Sequence, residues 1–166
     1  PLTERCISYG APYLGSGYNS YWQIVQSKDH IVIVQEMIHD VRVIPLIKKF
    51  TLDESIKLWH GDSRGYWDGD TLVIETANYS DKSGYGPKTS EKYNVEYLTR
   101  INEKELRYEI ITDDSGTFAA PYTREIVFDH SPDPIYEYAC HEGNYGMEYI
   151  LSGHRADERF ALEEEN

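Results

Sequence analysis

The sequence predicts a mainly β fold built as an antiparallel barrel, with a closed β-sandwich as the alternative. Tyr is unusually abundant, at 15 of 166 residues, and aromatic and β-branched residues favour strands. Several segments alternate apolar and polar residues or are continuously β-branched, as strands are. Asp68-Gly69, lying before a β-branched run, is typical of a two-residue hairpin turn. We therefore expect one domain over residues 1–166.

Residues 1–22 are predicted to form an aromatic N-terminal loop. Tyr, Trp, Gly and Ser dominate its second half, and the apolar residues there follow neither a helical nor a strand period. Aromatic faces stack on sugars and on other rings, which makes Tyr18 and Trp22 candidate ligand-binding residues. The alternative is a loop that plugs one end of the barrel with its own side chains.

The first strands follow this loop. Ile24–Gln26 leads through a turn into His30–His39, whose apolar centre is typical of a strand covered on both faces. Val41–Leu46 resumes as a strand, and Pro45 indicates an edge or a strand end. His39-Asp40 is expected at a turn or bulge between them, where side chains can point into the mouth of a barrel.

A short helix is predicted near 52–60. Thr51 and Glu54 match the capping-box pattern, and the helix would end at Gly61. It would deliver the loop Gly61–Gly65, after which Asp68-Gly69 would occupy both positive-φ positions of a type I′ turn.

Two further strands are predicted from alternation after a long loop. Tyr79–Glu91 is rich in Ser, Gly, Lys and Pro and is the candidate lid. Tyr93–Ile101 is expected to place its odd-numbered residues in the core and Glu96 with Arg100 on the solvated face. Leu106–Ile110 should place Leu, Tyr and Ile in the core.

The chain is predicted to close with two strands and a helix. The strands are Pro121–Phe128 and Ile135–Glu142. Residues 147–166 are predicted as a C-terminal helix with an acidic tail. Its apolar residues are expected on one side, namely Met147, Ile150, Leu151, Phe160 and Leu162.

Charge and cysteine content limit the partners and the compartment. A formal charge of −13 repels nucleic acid, and no apolar run approaches the ~20 residues of a membrane helix. Cys6 and Cys140 are predicted to form a disulfide, with two buried free thiols as the alternative. A bridge would stabilise the fold by roughly 4–5 kcal/mol in the chain-entropy model and favours a secreted or periplasmic protein.

Three polar clusters are expected to meet at the mouth of the barrel. They are Glu36, His39, Asp40 and Arg42; Asp62, Ser63 and Arg64; and Tyr138, His141 and Glu142. A His paired with a carboxylate is the usual general base, and an Arg stabilises developing negative charge. The candidate catalytic residues are His39, His141, Asp62 and Arg64. The candidate ligand-binding residues are Glu36, Arg42, Trp67, Tyr138, Tyr18 and Trp22.

The function favoured is a secreted protein that binds a small aromatic or amphipathic ligand, or a glycan, in a pocket lined by Tyr and Trp. The first alternative is a cofactor-independent lyase, isomerase or hydrolase using proton transfer. The second is a self-associating extracellular structural subunit. No cofactor is expected. A metal site is a minor alternative, with ligands chosen from His39, His60, Asp62, His141 and Glu142, because no HxH or HExxH spacing is present.

The chain resembles a large group of secreted, mostly uncharacterised proteins of soil and environmental bacteria. The resemblance rests on Gly61–Val73 (GDSRGYWDGDTLV) and Tyr136–Asn144 (YEYACHEGN), with support from the starting segment Pro1–Cys6 and from Gln23–Gln26. It implies a signal peptide, a longer precursor and export, and through export it supports the disulfide. It implies no activity and no catalytic residues. By strand count alone, the architecture resembles the lipocalin-like barrel.

Overall fold

The computed structural model describes residues 2–14, 17–50, 52–82 and 89–164. Two antiparallel sheets and one helix make up its regular structure. The three-stranded sheet contains β1 (Trp22–Gln26), β2 (His30–Gln35) and β3 (Val41–Pro45); the five-stranded sheet contains β4 (Asp62–Asp68), β5 (Thr71–Ala77), β6 (Tyr93–Arg100), β7 (Glu105–Asp113) and β8 (Tyr122–Asp129); the helix is α1 (Gly146–Glu164).

The mainly β, antiparallel prediction is confirmed, and the arrangement is sandwich-like. In each sheet the strands pair in chain order. A parallel bridge between Leu46 and Gly65 links the end of β3 to β4. A Cβ at Gly65 would lie 3.1 Å from Ile44 Cγ2, so glycine lets the two sheets approach. The described strands do not close into a barrel, because β1 and β8 are not hydrogen-bonded to each other.

The core lies between the two sheets. Its buried cluster consists of Ile31, Ile33 and Ile44 from the first sheet and Leu72, Ile74, Leu98, Tyr108 and Ile110 from the second. Strand alternation places these side chains on the inner faces. The prediction that the apolar centre of His30–His39 is covered on both faces is wrong for the single chain, since the outward Val32 and Val34 are only half-buried.

The hairpin at Asp68 is confirmed, but its turn is shifted by one residue. Asp68 pairs with Thr71, so Gly69 and Asp70 form the loop. Gly69 has a φ of 57°, whereas no positive φ occurs at Asp68 or Asp70. A glycine at the first central position is what a type II′ turn requires, and the predicted type I′ turn is wrong.

Two predicted elements are absent. Residues 52–60 form turns instead of a helix, because the Asp53 carboxylate accepts hydrogen bonds from the Ser55 backbone N–H and hydroxyl, at 2.9 and 2.6 Å. Such a local Asx turn competes with helix formation, and Thr51 lies outside the described residues. Ile135–Glu142 pairs with no strand in the described part of the chain. Of the predicted lid, residues 83–88 also lie outside the described ranges.

The two faces of β6 are opposite to the prediction. Asn94, Glu96 and Leu98 are buried, while Tyr93 and Tyr97 are half-buried on the outer face. Glu96 is 0% exposed, because it has a charged partner in the core that is described below. The predicted faces of β7 are confirmed.

The disulfide and the C-terminal helix are confirmed, whereas Trp22, the last residue of the predicted N-terminal loop, begins β1. Cys6 and Cys140 are bonded, with Cα atoms 5.7 Å apart. Asn144 Nδ2 donates to the Glu4 carbonyl oxygen at 2.9 Å and further ties the segment before α1 to the N-terminal segment. Residues 146–163 are exposed, except for the partly covered Gly146 and Ala156. No described helix has the length and apolarity needed to cross a membrane.

Candidate functional site

A cavity lies where the two sheets fail to join, between β1 and β8. Its volume is about 880 Å³, and we call it the seam cavity. Its apolar floor also packs against the core and is formed by Leu14, Trp22, Leu106, Ile126 and Phe128. This size and this lining are typical of pockets for small organic ligands, which occupy roughly 300–1,000 Å³.

Trp22 forms the wall between the seam cavity and the core. Its ring lies 4.8 Å from the Phe128 ring and 5.2 Å from the Tyr108 ring, measured between centroids. The buried Nε1 atom has no hydrogen-bond partner among the described atoms, nor has the side chain of Gln35, its cross-strand partner. Buried polar groups are normally paired, so these atoms are exceptions in the core behind the cavity wall.

The mouth of the seam cavity is polar and predominantly acidic. Two cationic and four anionic side chains line the cavity together with His130, namely Arg100 and Lys104 against Glu103, Glu105, Asp129 and Asp133. Two loops carry most of these residues. The His130 backbone N–H donates to the Lys104 carbonyl oxygen at 2.6 Å and holds the loops together.

A buried ion pair occupies the polar part of the core. Arg42 donates from Nη1 and Nη2 to the two Glu96 oxygens, at 2.9 and 2.8 Å. Nη2 also donates to Ser63 and Thr76, both at 3.2 Å. The Tyr108 hydroxyl donates to Glu96 at 2.7 Å. Each oxygen of the carboxylate is thus bound by the guanidinium, and the fork geometry is the strong bidentate form.

The charges of this pair depend on each other. Burial by itself lowers the pKa of Arg42, but the attraction of Glu96 and its hydrogen bonds outweigh burial and raise that pKa above the ordinary value. Burial also raises the pKa of Tyr108 well above its ordinary value, and the nearby Glu96 charge raises it further. Arg42 was predicted to bind a ligand. Its Nη atoms are instead committed to protein partners, and we interpret it as a structural residue.

A second polar cluster joins the N-terminal loop to Asp40, the residue directly before β3. The Asp40 carboxylate accepts from the Ser8 hydroxyl at 3.1 Å and from the Tyr9 backbone N–H at 2.7 Å. His60 Nε2 lies 2.8 Å from Ser8 Oγ and 3.5 Å from Asp40 Oδ1. In a hydrolytic triad the carboxylate binds the imidazole nitrogen that faces away from the serine. Here Nε2 faces both groups, so the cluster anchors the loop and does not form such a triad.

Arg64 and Asp62 of the catalytic candidates have structural partners. Arg64 lies on the outer face of the five-stranded sheet, where Nε donates to Glu75 at 2.6 Å and the guanidinium also bonds the Lys48 carbonyl oxygen. The guanidinium carbon lies 4.3 Å from the centre of the Phe50 ring. Asp62 is buried and accepts from the Leu52 backbone N–H at 3.3 Å.

The two candidate histidines lie at the surface. His39 is exposed at the end of a 3-10 turn, Met37–His39, with a φ of 46°. This confirms a turn before Asp40. His141 is exposed directly after the disulfide. Neither histidine lines the seam cavity, and neither do Arg64 and Asp62.

The ligand-binding candidates are divided among three places. Tyr18 and Trp22 line the seam cavity. Glu36 is buried and accepts from Asn19 Nδ2 at 3.3 Å, and Tyr138 packs beside the buried cluster that contains Met37. Trp67 is exposed. Among the described residues, no group of three or more His, Cys, Asp or Glu side chains is placed to hold a metal ion.

Sequence reasoning missed most of the seam cavity. Its residues come from the N-terminal loop, β1, the hairpin between β6 and β7, β8 and the segment after β8, and no local motif connects these regions. The available signal was the alternation of Ile126 and Phe128 in β8, which predicts a shared inner face. Comparisons of the chain with protein-family models, curated proteins and solved structures find no match.

Proposed function

We propose that the protein is a secreted or periplasmic binding protein that holds one small molecule in the seam cavity. The observation that carries this proposal is a cavity of about 880 Å³ whose apolar floor is part of the core packing. A lipocalin-like barrel would close by pairing its first and last strands. In this proposal the ligand fills the gap where that closure would occur.

The lining favours a neutral or cationic ligand with an aromatic or other apolar body. The apolar part packs on Trp22, Ile126 and Phe128, because burial of apolar surface is the main driving force for such binding. Two cationic against four anionic side chains disfavour an anionic ligand.

Export is the second part of the proposal. The Cys6–Cys140 disulfide supports it, because disulfides persist in oxidising compartments. The resemblance to secreted proteins of environmental bacteria points the same way. The predicted enzyme alternative, with His39 or His141 as the base, has no comparable support, since both histidines lie outside the seam cavity.

Binding can be tested with the neutral aromatic dye N-phenyl-1-naphthylamine, whose fluorescence rises in apolar surroundings. We expect saturable binding of one dye per chain, with energy transfer from tryptophan that decreases in Trp22→Phe. Ile126→Lys places a charge on the cavity floor and should weaken dye binding at least tenfold, because the bound dye would remove water from the new ammonium group.

Val127→Lys is the matched control. Val127 is the next residue of β8, points outward and is 46% exposed. Its lysine variant should bind dye like the original protein. Equal affinities of the Ile126→Lys and original proteins, with both folded by circular dichroism, would place the dye elsewhere and refute the proposal.

A further inference from the structure

The outer face of the three-stranded sheet carries valine at five of its eight positions. In register, Gln23, Val34 and Val41 form one row, and Val25, Val32 and Val43 form the next. We call the five apolar residues the valine face: Val25, Val32, Val34, Val41 and Val43. Val43 is 59% exposed and Val41 is 48% exposed, and no charged side chain interrupts the two rows.

This composition is unusual for a solvated surface. β2 carries isoleucine on its inner face and valine on its outer face, which is the pattern of a strand that is covered on both sides. Sheets with one solvated face normally place polar residues there. Contiguous exposed apolar surface marks an interaction site.

Within the described part of the chain, no strand packs extensively against the helix α1. Met147, Ile150 and Leu151 are spaced as i, i+3 and i+4 and form one apolar stripe, and all three are exposed. Phe160, which was expected on the same side, falls about 140° around the helix. Most helices in proteins depend on packing for their stability, and Gly153 weakens this one further.

We propose that the stripe of Met147, Ile150 and Leu151 in one copy of the chain docks on the valine face of a second copy, and the reverse, as a two-fold dimer. In a two-fold dimer, the stripe of each copy contacts the valine face of the other. Both apolar surfaces of both copies are then covered. The chain supplies both halves of the contact, and no extensive packing joins α1 to β1, β2 or β3 of its own copy.

The expected contact area fits a weak dimer. Strands of this length span about 17 Å, and three of them are about 15 Å wide, so each valine face covers about 250 Å². Counting both surfaces of both contacts gives about 1,000 Å², which is the lower end for specific interfaces. We therefore expect a dissociation constant of the dimer in the micromolar range. Samples at up to about 100 µM protein should then contain dimer.

Sedimentation velocity and light scattering test the proposal directly. The original protein should shift from monomer to dimer as its concentration rises. Val43→Lys on the valine face and Leu151→Glu on the stripe should each weaken the dimer at least tenfold. Phe160→Glu on another side of α1 and Val127→Lys on β8 are the controls and should dimerise normally. Circular dichroism and urea unfolding establish that each variant is folded.

A mixing experiment identifies the two surfaces that meet. Val43→Lys and Leu151→Glu proteins should be monomeric alone but form a heterodimer when mixed, with one original contact and one lysine–glutamate contact. A helix–helix dimer would survive Val43→Lys, and a sheet–sheet dimer would survive Leu151→Glu. Either result would overturn the proposal, and so would a wild-type protein that stays monomeric at every concentration. The wild-type protein would stay monomeric if α1 docked on its own chain.

Discussion

Each member of the buried Arg42–Glu96 pair is predicted to be needed for stability while the other is present, and Glu96→Gln tests this without creating a cavity. The replacement has nearly the same volume but no charge. One of the two carboxylate oxygens that accept from Arg42, at 2.9 and 2.8 Å, becomes an NH₂ group. Arg42 is 3% exposed, so water cannot replace the lost acceptor.

The expected loss follows from leaving one charge buried without its partner. Removing one member of a buried pair costs about 3–5 kcal/mol, whereas proteins are stable by about 5–15 kcal/mol in total. With a urea dependence of about 2 kcal/mol per molar, the unfolding midpoint should fall by roughly 2 M.

The matched control is the double variant Arg42→Met with Glu96→Gln. It removes the cation as well, and Ser63 and Thr76 still lie 3.0 Å apart and can bond to each other. The Tyr108 hydroxyl keeps a carbonyl acceptor at position 96. The double variant should recover at least half of the loss, because replacing a buried pair with neutral groups is often close to neutral.

The assay is urea unfolding at pH 7 with the disulfide oxidised, followed by tryptophan fluorescence and circular dichroism. A Glu96→Gln protein that loses less than about 1 kcal/mol would refute the reasoning, because that is the cost of an ordinary neutral hydrogen bond. A double variant less stable than Glu96→Gln alone would also refute it.

Two further predictions concern the tyrosines and Arg64. Burial raises the pKa of Tyr79 and of Tyr108 above the ordinary 10.0. As the pH rises above 10, these two hydroxyl groups therefore lose their protons in the unfolded chain before they do so in the folded protein. Their contribution to stability is complete below pH 10 and is lost as the pH rises further; urea midpoints that stay constant above pH 10 would contradict this. Arg64→Ala should cost about 1 kcal/mol, since it removes a partly exposed ion pair and a ring contact. The affinity for the dye should not change in Arg64→Ala. A tenfold loss of dye affinity in a folded Arg64→Ala protein would show that Arg64 contributes to ligand binding.

Local patterns determined the strands that could be predicted. The hairpin around Gly69 follows from a glycine beside a β-branched run, and its turn shifted because Asp68 can pair with Thr71. The helix predicted at 52–60 failed for a local reason as well. Thr51 and Glu54 match a capping box, but Asp53 binds Ser55 in a competing turn, and the residues that follow bury little apolar surface.

Glu96 shows why the site could not be predicted with the fold. In sequence it lies among Tyr, Val and Thr residues, so the alternation favours Glu96 on the solvated face. Its position in the core depends on Arg42, 54 residues earlier, whose fork satisfies both carboxylate oxygens. No pattern within β6 contains that information. When a charged residue in a strand has its ion-pair partner in another sheet, it can lie in the core. The prediction of which face of the strand is buried is then wrong.

The seam between β1 and β8 illustrates the same limit for the architecture. Eight antiparallel strands favour a closed barrel, yet closure requires backbone hydrogen bonds between the first and last strands. Here Trp22 and Phe128 meet through their rings, with centroids 4.8 Å apart, and no backbone ladder joins β1 to β8. The same two rings line the seam cavity. The open seam is thus both the departure from the predicted barrel and the place of the candidate ligand site.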